Sequence, residues 1–201
     1  TWDRAGPRDE ELDGRLVSVS ARLTVCAVGE VIALLHRHDR TEHPQAGLAN
    51  PQTLGFVPTD FALSRSTDRG HTWSTPQSIE PPLVGPSFEL CCPITPLRDG
   101  RWLLPTSTWR GGDGDLPTGD RMIAWVSHDR GATWPEYLDV MHHPRGDMMY
   151  WESKVVELPD GRLLAVAWVY DHAESRDLPN HYTLSHDGGK TWQKPRSTGL
   201  S

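Results

Sequence analysis

Ser127-His128-Asp129-Arg130-Gly131-Ala132-Thr133-Trp134 is the stretch of sequence that decides the fold. Its pattern, Ser-x-Asp-x-Gly-x-Thr-Trp, recurs from Ser66 to Trp73 and from Ser185 to Trp192. The three copies begin 61 and 58 residues apart, and five fixed positions at so regular a spacing indicate an internal repeat. The chain is therefore expected to be an array of similar units of about sixty residues each.

The fixed positions of this box have physical roles in a hairpin turn. Aspartate accepts hydrogen bonds from backbone N–H groups of the turn, glycine adopts a positive φ, and tryptophan places a large apolar surface under the hairpin. Calcium is not expected, because one carboxylate per turn falls short of the roughly six to eight oxygens that this ion binds. We therefore assign structural roles to Asp68, Gly70, Trp73, Asp129, Gly131, Trp134, Asp187, Gly189 and Trp192.

Composition excludes several classes of function. The 201 residues carry a formal net charge of −7 and show no basic stripe, which argues against nucleic acid as a partner. No run of about eighteen apolar residues predicts a membrane span, and no signal peptide is visible. Cys26, Cys91 and Cys92 do not make a disulfide framework and are expected to be buried free thiols. Neither a metal nor a cofactor is predicted.

Each unit reads as four short strands. Asp99-Gly100 in the second unit and Asp160-Gly161 in the third separate two apolar runs, which is a strong hairpin signal. Without helical periodicity, the repeat predicts an all-β fold, a β-propeller of four-stranded antiparallel blades. The blades are expected at about residues 16–80, 81–141 and 142–201, after an irregular lead-in at residues 1–15.

Three blades predict about half of a propeller, because propellers close with about four to eight. The sequence starts at Thr1 without methionine and ends at Ser201 soon after the third box. The remainder of the propeller is therefore expected from a longer chain or from another subunit.

Long loops are expected on the face opposite the boxes. If each box joins the third and fourth strands at one face, the loops between the second and third strands, and between blades, lie at the other. Such loops on a rigid scaffold are where sites concentrate. A short buried strand is predicted at Val31–Leu35. The predicted loops are His36–Asp60, Glu80–Ser87, Trp109–Arg121, Met141–Tyr150 and Tyr170–His181.

The repeated box is the Asp-box, or BNR repeat, and the chain resembles the sialidase (neuraminidase) superfamily over residues 16–192. The resemblance implies a six-bladed propeller, hydrolysis at a terminal sugar of a glycan, and a secreted or periplasmic location. Trp151–Leu164 looks like the bacterial sialidase segment that carries the glutamate partner of a nucleophilic tyrosine. By this resemblance Glu152 would activate that tyrosine, which is expected beyond Ser201.

Two positions depart from the family pattern. Trp168 stands where the family has one of three arginines that clamp the substrate carboxylate, so a neutral ring replaces a planar cation. Val19 lies near the arginine position of the opening blade, with Arg22 three residues away. For the acid of the first blade, Asp39 is the nearest candidate and Asp60 the second. Without the clamp, a neutral or differently charged sugar is at least as good a candidate as sialic acid.

The candidate site combines these residues for a glycan or small carbohydrate ligand. Glu152 and Asp39 are the catalytic candidates. The candidates for substrate binding are Arg37, Arg40, Trp109, Arg110, Trp151 and Trp168. Two other functions stay open, namely a non-catalytic Asp-box propeller that binds carbohydrate or protein, and a carbohydrate lyase. The lyase would pair His36 or His38 with Tyr150 or Tyr170.

Overall fold

The computed structural model describes residues 11–12, 14–26, 29–42, 44–45, 47–85, 87–90 and 92–200, and over these ranges the chain is all-β. This part of the chain has fourteen strands. Their bounds are β1 Glu11–Leu12, β2 Arg15–Val25, β3 Val31–Asp39, β4 Thr59–Ser66, β5 Gln77–Ile79, β6 Ser87–Glu89, β7 Thr95–Pro96, β8 Trp102–Trp109, β9 Arg121–Ser127, β10 Glu136–His142, β11 Met148–Glu157, β12 Leu163–Asp171, β13 Arg176–Ser185 and β14 Arg196–Ser197.

The strands form three antiparallel sheets. The orders are β1-β2-β3-β4-β5, β10-β9-β8-β6 and β11-β12-β13-β14. In the second sheet β6 and β7 both pair with β8, so together they stand in for one first strand. Each sheet contains one box, which lies between its last two strands in sequence. The fold is therefore three blades of a β-propeller, as the repeat predicted, and within the described ranges the sheets do not close into a ring.

Two apolar clusters join the blades, and the alternation of side chains along strands produces them. Ile32 and Leu34 of β3 pack with Trp125 between the first and second sheets. Leu163 and Ala165 of β12 belong to the cluster between the second and third sheets. Because alternate side chains point to opposite faces, the first and third sheets each keep one face that no described blade covers.

Strand bounds differ from the sequence expectations in several places. The predicted loop Met141–Tyr150, for example, begins in β10 and ends in β11. The expected lead-in contains β1, which pairs with the start of β2, while residues 1–10 lie outside the described part. β3 continues to Asp39 instead of ending at Leu35, because its last residues pair with both β2 and β4. Tyr170–His181, expected to be a loop, is mostly the β12–β13 hairpin, whose turn occupies only residues 172–175.

The cysteines are less buried than expected. Cys26 is a free thiol, and both Cys26 and Cys92 are half-buried. The expectation for Cys91 concerns a residue outside the described part of the chain.

The three box hairpins share one set of hydrogen bonds among their serine, aspartate, glycine and threonine, and the first box adds one from Trp73 Nε1 to the carbonyl of Gly70 at 3.1 Å. In the middle box the Ser127 hydroxyl donates to Asp129 at 2.8 Å and accepts from Gly131 N–H at 2.7 Å. Asp129 also accepts from the N–H and the hydroxyl of Thr133, at 2.9 and 2.6 Å. The hydrogen bond from the Thr133 hydroxyl is the largest cause, and that from the Thr133 N–H the second, of a pKa of Asp129 lowered to about 2. Each box carboxylate thus accepts its hydrogen bonds from residues of its own turn.

Hydroxyl groups also pin each blade to the backbone of the next. Thr24 Oγ1 donates to the carbonyl of Ile94 at 2.8 Å, and Thr95 Oγ1 donates to the carbonyl of Val155 at 2.9 Å. These bonds fix the first strands of neighbouring blades relative to one another. The described residues include no helix with the length and apolar character needed to cross a lipid bilayer.

Candidate functional site

A bulge in β11 shapes the face opposite the boxes. β11 pairs with β12 up to Trp151 and resumes at Lys154, so Glu152 and Ser153 lie opposite the single residue Ala167. Two residues against one make a β-bulge, a feature that re-aims side chains and is common beside active sites.

Glu152 has a backbone conformation that is unusual for its residue type. Its φ is 48°, in the left-handed region, which costs a residue with a side chain roughly 1–2 kcal/mol. The side chain is exposed, and its carboxylate makes no hydrogen bond or ion pair with the described residues. An unpaired acid held in a strained position is a candidate for ligand contact.

Four aromatic side chains from all three blades form a row beside the bulge. Ring centroids are 5.1 Å apart for Phe56 and Trp109, 5.6 Å for Trp109 and Trp151, and 5.7 Å for Trp151 and Trp168. Trp109 is 7% exposed, so it links blades and offers no open face to a sugar ring. Trp168 is 52% exposed and ends the row on the face of the third sheet that no described blade covers.

A loop of the first blade fixes Trp109 in this row. Trp109 Nε1 donates to the carbonyl of Leu54 at 2.9 Å, and Phe56 forms a parallel bridge with Gly111. Gly55 permits this docking, because a Cβ there would lie 1.7 Å from the Gly111 carbonyl oxygen. The loop therefore depends on a glycine for close approach of two backbones.

Asp39, the acid predicted in the first blade, is held by neighbours. Its carboxylate accepts from Thr41 N–H at 2.9 Å and lies 3.5 Å from Arg15 Nη1. Hydrogen bonds from Thr41, with a smaller contribution from Arg15, lower the pKa of Asp39. Asp39 is therefore ionised at neutral pH, and it shares no hydrogen bond with Glu152.

Arg37 and Arg40 also have partners. Arg37 Nε donates to Asp60 at 2.5 Å and Nη2 donates to the Ser78 hydroxyl at 2.8 Å, and the side chain is buried. Arg40 Nη2 donates to the carbonyl of Pro44 at 3.4 Å. These bonds anchor the end of the first blade.

Arg110 belongs to a cluster between the second and third blades. Its Nη2 lies 3.6 Å from the buried carboxylate of Asp120, which also contacts His172 Nε2 at 2.9 Å. The His172 ring packs edge-on against Tyr170. Sequence reasoning missed Asp120, because a partner from another blade leaves no local signal.

Three of the four residues weighed for a lyase, His36, His38 and Tyr150, are buried. His36 lies in the core. Its burial lowers its pKa to about 3, and the neighbouring His38 is a smaller cause of the same shift. Tyr150 is also buried, which raises its pKa, and its hydroxyl contacts the sulfur of Met148. Tyr170 contacts His172 rather than His36 or His38.

The structure thus brings together Trp151, Glu152 and Trp168 on β11 and β12, with Trp109 behind them. Asp39 and Arg37 lie apart on the first blade. Phe56 was not foreseen as part of the row, because only the docked loop carries it to Trp109.

The sequence profile of the family described as BNR repeat-like domain matches residues 49–201. The comparison with curated proteins gave no match. Among solved structures, the intramolecular trans-sialidase from Ruminococcus gnavus is 23% identical with a TM-score of 0.52, covering 71% of this chain and 27% of that one. The leech intramolecular trans-sialidase is 18% identical with a TM-score of 0.51, covering 92% and 26%.

A third similar structure is the α-L-arabinanase from Penicillium chrysogenum. It is 15% identical with a TM-score of 0.50, and the match covers 94% of this chain and 68% of that one. This chain spans about a quarter of the length of the two trans-sialidases. At these identities the similarity shows the fold, which this chain shares with glycosidases.

Proposed function

This chain belongs to the BNR repeat-like domain family, and from that premise we propose that it is part of a glycoside hydrolase acting on a terminal sugar of a glycan. The main observation in support of this proposal is that Glu152 has an exposed, unpaired carboxylate and a left-handed backbone conformation at the β-bulge. The glycosidase-like fold supports the reaction class.

Glu152 would act as the base in this reaction. A glutamate within reach of a phenol or a water accepts its proton as the oxygen attacks the anomeric carbon. The glycosidic C–O bond breaks at the same time, and the leaving oxygen takes a proton from water. Asp39 is less suited to proton donation, because its bonds from Thr41 favour the ionised form. We assign it to binding sugar hydroxyls as an acceptor.

The aromatic surface favours a neutral sugar over a carboxylated one. Trp168 presents an exposed ring edge-on to Trp151, and tryptophan offers an apolar face to the C–H groups of a pyranose. Arg37 is already engaged by Asp60 and Ser78. A substrate carboxylate would therefore have to displace Asp60 or Ser78 from Arg37, the residue that the sequence suggested for substrate binding.

A non-catalytic carbohydrate-binding propeller is the second candidate. One observation favours it, because Glu152 and Asp39 share no contact and form no acid–base pair. Such a protein would use the same Trp151 and Trp168 surface without cleaving its ligand.

Glu152→Gln tests the proposal in the complete propeller, assayed with neutral and sialylated glycosides. It keeps the shape of the side chain but removes the base, so turnover should fall roughly 10²–10⁴-fold while binding persists. Glu174→Gln, an exposed acid in the β12–β13 turn, is the matched control and should leave turnover unchanged. Unchanged turnover in Glu152→Gln would overturn the hydrolase proposal, and wild-type binding without turnover would support the binding module.

A further inference from the structure

Three side chains of the second and third blades meet at the rim of the face opposite the boxes, and we call them the rim cluster. Arg110 directly follows β8, Asp120 directly precedes β9 and His172 directly follows β12. The middle and third boxes begin at the other ends of these sheets, with the last residues of β9 and β13. Asp120 Oδ2 lies 3.6 Å from Arg110 Nη2 and 2.9 Å from His172 Nε2, so one carboxylate oxygen joins the two blades.

The backbone on both sides of Asp120 is fixed by one threonine. The Thr108 hydroxyl donates to the carbonyl of Gly119 at 2.5 Å and accepts from the N–H of Arg121 at 3.0 Å. The side chain of Asp120 is only 5% exposed. Because a buried carboxylate is costly without partners, the other two members of the rim cluster stabilise it in this position.

The backbone of His172 is also held from two directions. Its N–H donates to the carbonyl of Asp147 at 2.8 Å, which ties it to the start of β11. Asp171 Oδ1 accepts from the N–H groups of Ala173 and Glu174 at 2.9 and 3.1 Å and so closes the turn that follows. The imidazole therefore extends from a fixed base towards the second blade.

The contact with Asp120 decides which ring nitrogen of His172 carries the hydrogen. A carboxylate only accepts, so Nε2 is the donor and Nδ1 of the neutral ring keeps its lone pair. Nδ1 makes no hydrogen bond with a described residue and is not buried, and the side chain is 26% exposed. His172 thus presents a hydrogen-bond acceptor at the rim.

Arg110 adds hydrogen-bond donors beside this acceptor. A guanidinium has five N–H donors, and in Arg110 one nitrogen faces Asp120 while 31% of the side chain is exposed. Sugar hydroxyls both donate and accept, so two hydroxyls of one ring can bind a donor and an acceptor that are held together. The rim cluster therefore has the chemistry of a site for a sugar.

The rim cluster lies too far from Glu152 to bind the same sugar ring. Beside Glu152, β12 pairs with β11 at Trp168, and His172 is four residues further along the chain. Four residues of a strand span about 13 Å, from the bulge to the rim. Arg110 directly follows Trp109 of the aromatic row, so the row connects the two places.

On the basis of the function proposed above, we infer that the rim cluster is a second sugar subsite, which binds an inner unit of the glycan whose terminal sugar lies at Glu152. One hydroxyl of the inner unit donates to His172 Nδ1, and another accepts from Arg110. Asp120 is a positioning residue, because it holds both side chains and keeps the hydrogen of the imidazole on Nε2. The subsite adds affinity for oligosaccharides and takes no part in bond cleavage.

Binding of the complete propeller to an array of neutral and sialylated mono- to tetrasaccharides tests this subsite without reference to turnover. The wild-type protein should bind at least one oligosaccharide more tightly than the monosaccharide that ends it. Dissociation constants for that pair of sugars are then measured by titration calorimetry. A wild-type protein that binds no glycan of the array, or no oligosaccharide better than its terminal monosaccharide, would overturn the inference.

His172→Gln separates ligand binding from a structural role. The glutamine amide can donate to Asp120 in place of Nε2, but the Nδ1 acceptor is lost. The variant should keep the wild-type unfolding midpoint and the affinity for the monosaccharide, and bind the oligosaccharide about 2–10-fold more weakly, as expected for one neutral hydrogen bond. Arg110→Ala should weaken the same binding about 10–100-fold, because its hydrogen bond is charged. Wild-type oligosaccharide affinity in both variants would contradict the subsite.

His128→Ala is the matched control, since His128 Nε2 contacts Glu136 at 2.6 Å on the box face. It should leave both dissociation constants unchanged, and a loss equal to that of His172→Gln would contradict the subsite. The outcome is independent of the hydrolase proposal. Unchanged turnover in Glu152→Gln together with weaker oligosaccharide binding in His172→Gln would overturn the hydrolase and support the subsite.

Nitrogen-15 NMR of the His172 ring tests the role of Asp120. The wild-type spectrum should show a neutral ring with its hydrogen on Nε2. Asp120→Asn should give a mixture of the two tautomers and weaken oligosaccharide binding, because an amide donates as well as accepts. A wild-type ring with its hydrogen on Nδ1 would exclude the proposed acceptor.

Discussion

The box face and the face opposite it are built in different ways. On the box face, three hairpins repeat the same hydrogen bonds between residues at most four positions apart, such as Gly131 to Ser127. On the opposite face the contacts join distant segments, such as Trp109 to Leu54 and His172 to Asp120. The difference teaches that local repetition makes the scaffold, while contacts that are unique to each blade make the candidate site.

Gly55→Ala should have the largest effect, because it disrupts a close backbone contact on the face opposite the boxes. A Cβ at Gly55 would lie 1.7 Å from the Gly111 carbonyl oxygen, so the loop must leave Trp109. We expect a loss of about 2–4 kcal/mol in the free energy of unfolding, measured by urea denaturation. Gly112→Ala is the matched control, because its Cβ would meet only Phe56 O at 3.6 Å. Equal stability of the two variants would contradict the docked loop.

Asp129→Ala should have an intermediate effect on the box face. The change removes the acceptor of the Ser127 and Thr133 hydrogen bonds, which we expect to cost about 1–3 kcal/mol. Asp187→Ala should lower the denaturation midpoint to a similar extent, because the hydrogen-bond distances of Asp187 match those of Asp129. Chemical denaturation of both variants checks this, and widely different losses would break the equivalence of the boxes.

Glu152→Gly should change stability in the opposite direction. Glycine adopts the φ of 48° without the side-chain penalty, so we expect a gain of about 0.5–1 kcal/mol. Lys154→Gly, at a regularly paired position of the same strand, should instead lose about 0.5–1 kcal/mol. Thermal unfolding of both variants decides the matter. Destabilisation by Glu152→Gly would remove the evidence for strain at the site.

Acid should destabilise the protein in two pH windows, one set by His36 in the core and one set by the box aspartates. The loss of stability should be smallest near neutral pH. The folded-state pKa of His36, about 3, lies below its unfolded value near 6.5, so its contribution is lost as pH falls through that interval. The box aspartates Asp129 and Asp187 have pKa values of about 2, so their contribution is lost below about pH 4. Urea midpoints measured against pH should lose the upper window in His36→Leu and part of the lower one in Asp129→Asn. A pH dependence that neither variant changes would contradict both assignments.

The sequence was sufficient to predict the propeller blades, because the determinants of each box lie within eight residues. The length of β3 was not predictable in the same way. His36–Asp39 is polar and reads as a loop, but β2 and β4 pair with it on both sides. Tertiary pairing here outweighs local composition.

The candidate site was predictable only in part. Glu152, Trp151 and Trp168 were found by resemblance, whereas the bulge that gives Glu152 its φ has no signature in residue type. Phe56 and Asp120 escaped notice because their partners lie on other blades, 53 and 52 residues away in the chain. The burial of Trp109 follows from these same contacts, so it too was invisible in the sequence.

The division of roles between the two faces is tested most directly by hydrogen–deuterium exchange of the complete propeller with and without a glycan ligand. The ligand should slow exchange at Trp151–Ser153 and around Trp168, and leave the three box hairpins unchanged. Protection confined to the boxes, or no protection at β11 and β12 when the ligand is bound, would contradict the assignment of function to the face opposite the boxes.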